Sequence, residues 1–187
     1  MTALSFAADY LIYVIVPVWI LFGFLDWGCH RRARIEANSG SVESLIHLVM
    51  LLEGGVALFL GLFAEIDALV LAAMIGLWLV HEITSYIDLV YANHRRAITP
   101  FEQRVHDYLA VLPLVALSLV LVLHWAQALA LVGTGPAVRD FSIRWKDAPL
   151  PLAYLLAIPS VVAVIGLFYV EELARCLRFR ARVITSP

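Results

Sequence analysis

The 187-residue chain is 63% hydrophobic and only 15% charged, with a formal net charge of −2 and a mean hydropathy of +0.89. A soluble domain carries about 25% charged residues, so this composition excludes an ordinary soluble fold, and nothing in it offers the basic face of a nucleic-acid-binding surface. Its two cysteines, Cys29 and Cys176, exclude a disulfide framework.

Five apolar stretches can be read in chain order, each near the length of about 20 residues that crosses a bilayer as a helix. The first runs from about Phe6 to Trp27. No basic residue precedes it, the first being Arg31, and no small-residue cleavage site follows a short core. The expectation is therefore a retained membrane helix rather than a cleaved leader. The second runs from about Val42 to Phe63, and the short link "FAEIDA" joins it to the third, about Ala68 to Tyr91. The fourth runs from about Pro100 to Trp125. A longer polar stretch, Gln127 to Ala148, contains the turn signal "GTGP" and leads to the fifth, about Leu150 to Glu171. Tyr10, Trp27, Tyr91 and Trp125 sit at span ends, where an interfacial aromatic belt belongs. Pro17, Pro113 and Pro159 fall inside spans and predict kinks.

These elements predict an all-α fold, a single polytopic membrane bundle over residues 1–187. Basic residues set its expected orientation. Arg31, Arg32, Arg34, Arg95, Arg96, Arg104, Arg175, Arg178, Arg180 and Arg182 fall on one side of a five-span model, and only Arg139, Arg144 and Lys146 on the other. The positive-inside rule then puts the N-terminus outside and the C-terminus in the cytoplasm. The expected location is a bacterial inner (cytoplasmic) membrane.

The chemistry lies in a repeated spacing. Asp26–His30 ends the first span, Glu43–His47 opens the second and Glu102–His106 opens the fourth. With 15 acids and 6 histidines in the chain, random placement gives about 0.5 such pairs. Four residues apart on a helix is one turn, so each pair shares a face. In the five-span topology all three pairs lie at the same membrane depth. The third span adds His81, Glu82 and Asp88. Asp26, His30, Glu43, His47, Asp88, Glu102 and His106 form a main polar layer, with Glu53, His81 and Glu82 below it.

An ionisable side chain at the centre of a membrane helix costs about 2.5–3.5 kcal/mol on insertion scales. A bound cation compensates carboxylates and neutral imidazoles together. Mixed oxygen and nitrogen donors suit iron, manganese or zinc better than copper(I). The expected metal ligands are Asp26, His30, Glu43, His47, His81, Asp88, Glu102 and His106, a set large enough for two ions. Glu82 and Glu53 are the expected catalytic or proton-path groups.

Four helices offering inward carboxylates and histidines, in "DWGCH", "ESLIH" and "EQRVH", resemble the carboxylate-bridged di-iron proteins, including membrane-bound oxidases of that type. That class uses Glu-x-x-His at i,i+3, whereas the pairs here are at i,i+4. The resemblance implies iron, with zinc or manganese as alternatives, and an oxidase or hydroxylase acting on a membrane lipid or quinol. It implies no nucleic-acid partner and leaves room for a homo-oligomer. A zinc-dependent intramembrane hydrolase, a haem-binding electron-transfer protein and a metal or ion transporter are the competing classes. Simpler local roles compete as well. "TPFE" makes Thr99 and Glu102 a capping box, Asp88 has Arg104 as a candidate partner, and Glu171 and Glu172 have nearby arginines.

Overall fold

The computed structural model describes residues 2–185. Five helices are long and apolar enough to cross a membrane. Helix α1 is Ala3–Ala33, α2 is Gly40–Phe63, α3 is Ala68–Asn93 and α4 is Pro100–Leu123. A short α5, Trp125–Leu131, follows, and α6 is Leu152–Thr185.

Local chemistry explains the ends. α1 contains one π turn, Leu11–Ile15, just ahead of Pro17, whose ring has no N–H and crowds the carbonyl four residues back. It stops where Arg34 turns left-handed, at φ 54°. Thr99 caps α4 and Asp67 caps α3, each through a side-chain oxygen accepting a backbone N–H. α6 runs well past Glu171, the expected end of the fifth span. No Gly or Pro follows Gly166 before the chain's last residue, so nothing breaks the helix there. α5 was not expected from sequence. His124, at φ −114°, breaks the helical path and the chain turns before resuming.

The loop between α5 and α6 folds back over the α2–α3 link. Glu65 N donates to Arg144 O at 2.8 Å and Lys146 N donates to Phe63 O at 2.9 Å. The "GTGP" turn is present, with Gly133 and Gly135 at φ near +80°, a region that favours glycine. Beneath this loop, Ala64, Ile66, Val70, Leu71 and Val120 pack into an apolar core.

α2 packs chiefly on α3 and α6, and α1 on α4 and α6. Phe22 stacks on Tyr108 with centroids 4.3 Å apart, and Trp27 meets Phe168 at 4.6 Å. Large apolar side chains such as Leu52, Ile83, Tyr86 and Leu167 point outward, each more than 60% exposed. A soluble monomer rarely shows so much apolar surface, whereas a bilayer accepts it. The polar interior is the inverse of that surface, and it is concentrated at the arginine-bearing end of the bundle.

Candidate metal centre

The end of α1, the starts of α2 and α4, the end of α3 and the later half of α6 meet in one place. Asp26, His30, Glu43, His47, Asp88, Glu102 and Glu172 are each 6% exposed or less. His106 is half-buried beside them. One-turn spacing aims each acid–histidine pair of α1, α2 and α4 inward.

Asp26 is the hub of one half. Its Oδ1 lies 3.3 Å from His30 Nε2 and 3.0 Å from His106 Nε2. Its Oδ2 accepts a hydrogen bond from Tyr169 Oη at 3.0 Å. In the other half, His47 Nε2 lies 3.2 Å from Asp88 Oδ1. The rings of His30 and His47 are stacked, with centroids 4.2 Å apart and planes 8° from parallel. Glu172 faces both, with Oε2 at 3.3 Å from His30 Nδ1 and Oε1 at 3.4 Å from His47 Nδ1.

Two groups have ligand atoms close enough to share a cation: Asp26, His30 and His106, and His30, Glu43 and His47. His30 belongs to both, so the two positions adjoin. Among the described residues neither group includes a cysteine. Asp88, Glu102 and Glu172 flank these groups. His81 stands apart. Its Nδ1 lies 3.3 Å from Glu53 Oε2, and Thr84 Oγ1 donates to Glu53 Oε1 at 2.8 Å. Glu82 is half-buried and lies in neither group.

Tyr169–Asp26 and His47 Nδ1–Glu172 Oε1 are hydrogen bonds, but most of the other close contacts are not. Asp26 Oδ1, both ring nitrogens of His30, His47 Nε2, Asp88 Oδ1 and Glu172 Oε2 are buried with no hydrogen-bond partner. Buried polar atoms are nearly always paired, so a cluster of unpaired ones needs a cause. With metal–ligand bonds of about 2.0–2.1 Å, neighbouring ligand atoms stand about 3 Å apart in an octahedron and about 3.4 Å apart in a tetrahedron. Asp26 lies at 3.3 and 3.0 Å from His30 and His106, and Asp88 at 3.2 Å from His47, within that interval.

Arg96, in the α3–α4 link, is drawn in to the acids of the cluster. Its Nη2 donates to Glu43 Oε1 at 2.7 Å and to Glu102 Oε1 at 2.6 Å. Burial works against its charge, but the carboxylates of Glu102 and Glu43 outweigh that and raise its pKa. Glu102 also completes the capping box with Thr99 and lies 3.9 Å from His30 Nε2. The cap and the cluster therefore use the same side chain. Asp88 does not meet Arg104, whose Nη1 pairs instead with Asp107 at 3.2 Å.

Electrostatics favour a cation. Asp26, Glu43, Asp88, Glu102 and Glu172 carry five negative charges if ionised, and Arg96 returns one. The remaining four match two divalent ions. Protonating the histidines is the other way to balance charge. However, two stacked imidazolium rings 4.2 Å apart would repel by about 4 kcal/mol at an effective dielectric of about 20.

Sequence reasoning missed Glu172, Tyr169 and the inward role of Arg96. It gave Glu171 and Glu172 the same arginine partners. Glu171 does pair with Arg31, at 2.9 Å, but Glu172 points the other way. Tyr169, Glu172 and Cys176 are 5%, 0% and 1% exposed, and their 3,4 spacing marks one buried face. That periodicity was the available signal.

Two apolar cavities lead from the cluster toward the opposite end. The smaller, about 100 Å³, touches Asp26, His47, Tyr169 and His81. The larger, about 390 Å³, runs from Glu53, Trp78, His81 and Pro113 to His124 and Lys146. Trp19, Gly54, Leu58 and His81 line both. No family model matches the chain, and neither a curated protein nor a solved structure matches it.

Proposed function

We propose that this protein is a membrane-embedded oxidoreductase whose carboxylate–histidine cluster holds two divalent metal ions, iron foremost, and acts on a lipid or quinol. The observation that carries the reading is the set of buried, unpaired atoms on Asp26, His30, His47, Asp88 and Glu172, beside two acid–histidine groups whose ligand atoms lie within 4.8 Å of one another. The nearly equal balance between four uncompensated negative charges and two divalent ions supports two ions rather than one. Asp26, His30 and His106 hold one position. A neutral imidazole has one lone pair for one ion, so Glu43 and His47 would hold the other with Asp88, whose Oδ1 is 3.2 Å from His47 Nε2, while Glu102 and Glu172 supply charge or further ligation. Two-histidine, one-carboxylate sets with open positions suit non-haem iron and oxygen chemistry. Bound iron would supply the exchange of electrons with dioxygen.

The chain's own residues do the rest. Tyr169 orients Asp26 through its hydroxyl. Arg96 holds Glu43 and Glu102 in place and limits their charge. The apolar cavities admit a substrate from within the bilayer and exclude bulk water. The positive-inside rule puts the cluster near the cytoplasmic face.

A second reading is a zinc-dependent hydrolase. Asp26, His30 and His106 also match the two-histidine, one-carboxylate pattern of catalytic zinc, and Glu82 has a buried oxygen without a hydrogen-bond partner. Elemental analysis with a visible spectrum separates the readings. About two irons per chain and no Soret band support the first. One zinc per chain supports the second. Protein that retains no metal after purification and metal add-back sinks both.

A further inference from the structure

Between the metal cluster and the far end of the bundle lies a second polar station that the cluster does not use. Glu53 and His81 are each 8% exposed. Their facing atoms, Glu53 Oε2 and His81 Nδ1, are 3.3 Å apart, yet neither has a hydrogen-bond partner. Trp78 Nε1 is buried and unpaired as well. All three side chains line the larger cavity. Its volume of about 390 Å³ lies within the usual range for small-molecule sites, which are mostly apolar with a few placed polar groups.

We propose that Glu53, His81 and Trp78 form the head-group site of a quinone or quinol, with its apolar tail in the larger cavity. Indole N–H and imidazole N–H donate to a ring oxygen of the oxidised form. The Glu53 carboxylate accepts from a ring hydroxyl of the reduced form, and Thr84 fixes that carboxylate from behind. Trp19 and Trp78 supply flat walls for a ring. A fatty acid fits less well, because its carboxylate would meet that of Glu53. The head would sit six residues from His47 along α2, about 9 Å on the helix axis, and the smaller cavity joins the two places. Gly54 sets the width of the junction. A Cβ there would come within 3.1 Å of the Trp19 ring.

The site deepens the oxidoreductase reading and rests on it only for its redox purpose. The test therefore uses binding to chelator-treated, metal-free full chain in detergent, so a metal-free protein that binds quinone separates the two claims. Decylubiquinone titrated by tryptophan quenching and by calorimetry should bind saturably, one per chain. His81→Leu should weaken it about tenfold, the value of one lost buried hydrogen bond, and Glu53→Gln should weaken binding of decylubiquinol, the reduced form, by the same factor. Ser118→Ala, on an exposed face of α4, should leave it unchanged. Should the variants fail to fold, competition on the wild-type chain decides. Decylbenzene, with the tail and ring but no oxygens, should bind at least tenfold more weakly than decylubiquinone. Equal binding of decylbenzene or dodecanoate, unchanged affinity in folded Glu53 and His81 variants, or no saturable binding overturns the proposal.

Discussion

His30 and His47 lie face to face, 4.2 Å between ring centroids, and the single carboxylate of Glu172 faces the Nδ1 atom of both. The two rings come from α1 and α2, and the carboxylate from α6. Three helices are thus joined by one buried acid, whose ion pairs among the described residues are with histidines.

Glu172→Gln should therefore lower metal content, while Glu171→Gln should not. Gln keeps the shape but removes the negative charge that faces the Nδ1 atoms of His30 and His47. Glu171 is exposed and pairs with Arg31, and such surface pairs contribute about 0–1 kcal/mol. Elemental analysis of the two purified variants checks this. Equal metal content in both would mean that Glu172 does no more than fill space.

Arg96→Met should be among the most destabilising substitutions in the chain. It leaves Glu43 and Glu102 buried without their shared partner, a loss of about 3–5 kcal/mol. Adding Glu43→Gln should recover part of it, because one unpaired charge disappears. Thermal unfolding in detergent reads both effects. An additive double variant would show that Arg96 and Glu43 act independently.

Thr99→Ala and Glu102→Gln divide the two roles of one helix start. The first removes the cap oxygen and should cost about 1 kcal/mol of stability, with metal retained. The second keeps the capping box, since an amide oxygen also accepts the Thr99 N–H. It removes the charge beside Arg96 and His30, and metal content should fall. Full metal occupancy in Glu102→Gln would reduce Glu102 to a cap.

Ser142→Cys in a Cys29→Ser, Cys176→Ser background should react with an impermeant thiol reagent on intact cells, and Arg32→Cys should not. Both positions are exposed, so accessibility within the fold does not decide the result. Labelling at Arg32→Cys alone would invert the orientation and place the cluster at the outer face.

The spans, and the gathering of the polar residues at one end of the bundle, were legible because apolar length and i,i+4 spacing are local properties. Asp26–His30 and Glu43–His47 announced themselves by spacing alone. Glu172 did not, because an acid near a run of arginines reads first as a surface ion pair, and only the buried register with Tyr169 and Cys176 says otherwise. Arg96 was hidden for the opposite reason. It counts as a topological charge until the α3–α4 link turns it back toward Glu43 and Glu102, and that turn depends on tertiary packing. α5 escaped notice because seven residues between a broken helix and a loop carry too little periodicity.

The position of Glu172 in the chain also bears on biogenesis. The first four spans deliver His30, His47, His106 and four of the acids before α6 is made. Until it inserts, both imidazole Nδ1 atoms lack the carboxylate that faces them, and Asp26 lacks the Tyr169 hydroxyl. Assembly of the cluster is thereby tied to the insertion of α6. A chain stopped before Leu152 should reach the membrane with Asp26, Glu43, Asp88 and Glu102 but without Glu172, and after metal add-back it should retain less metal than the chain that carries α6.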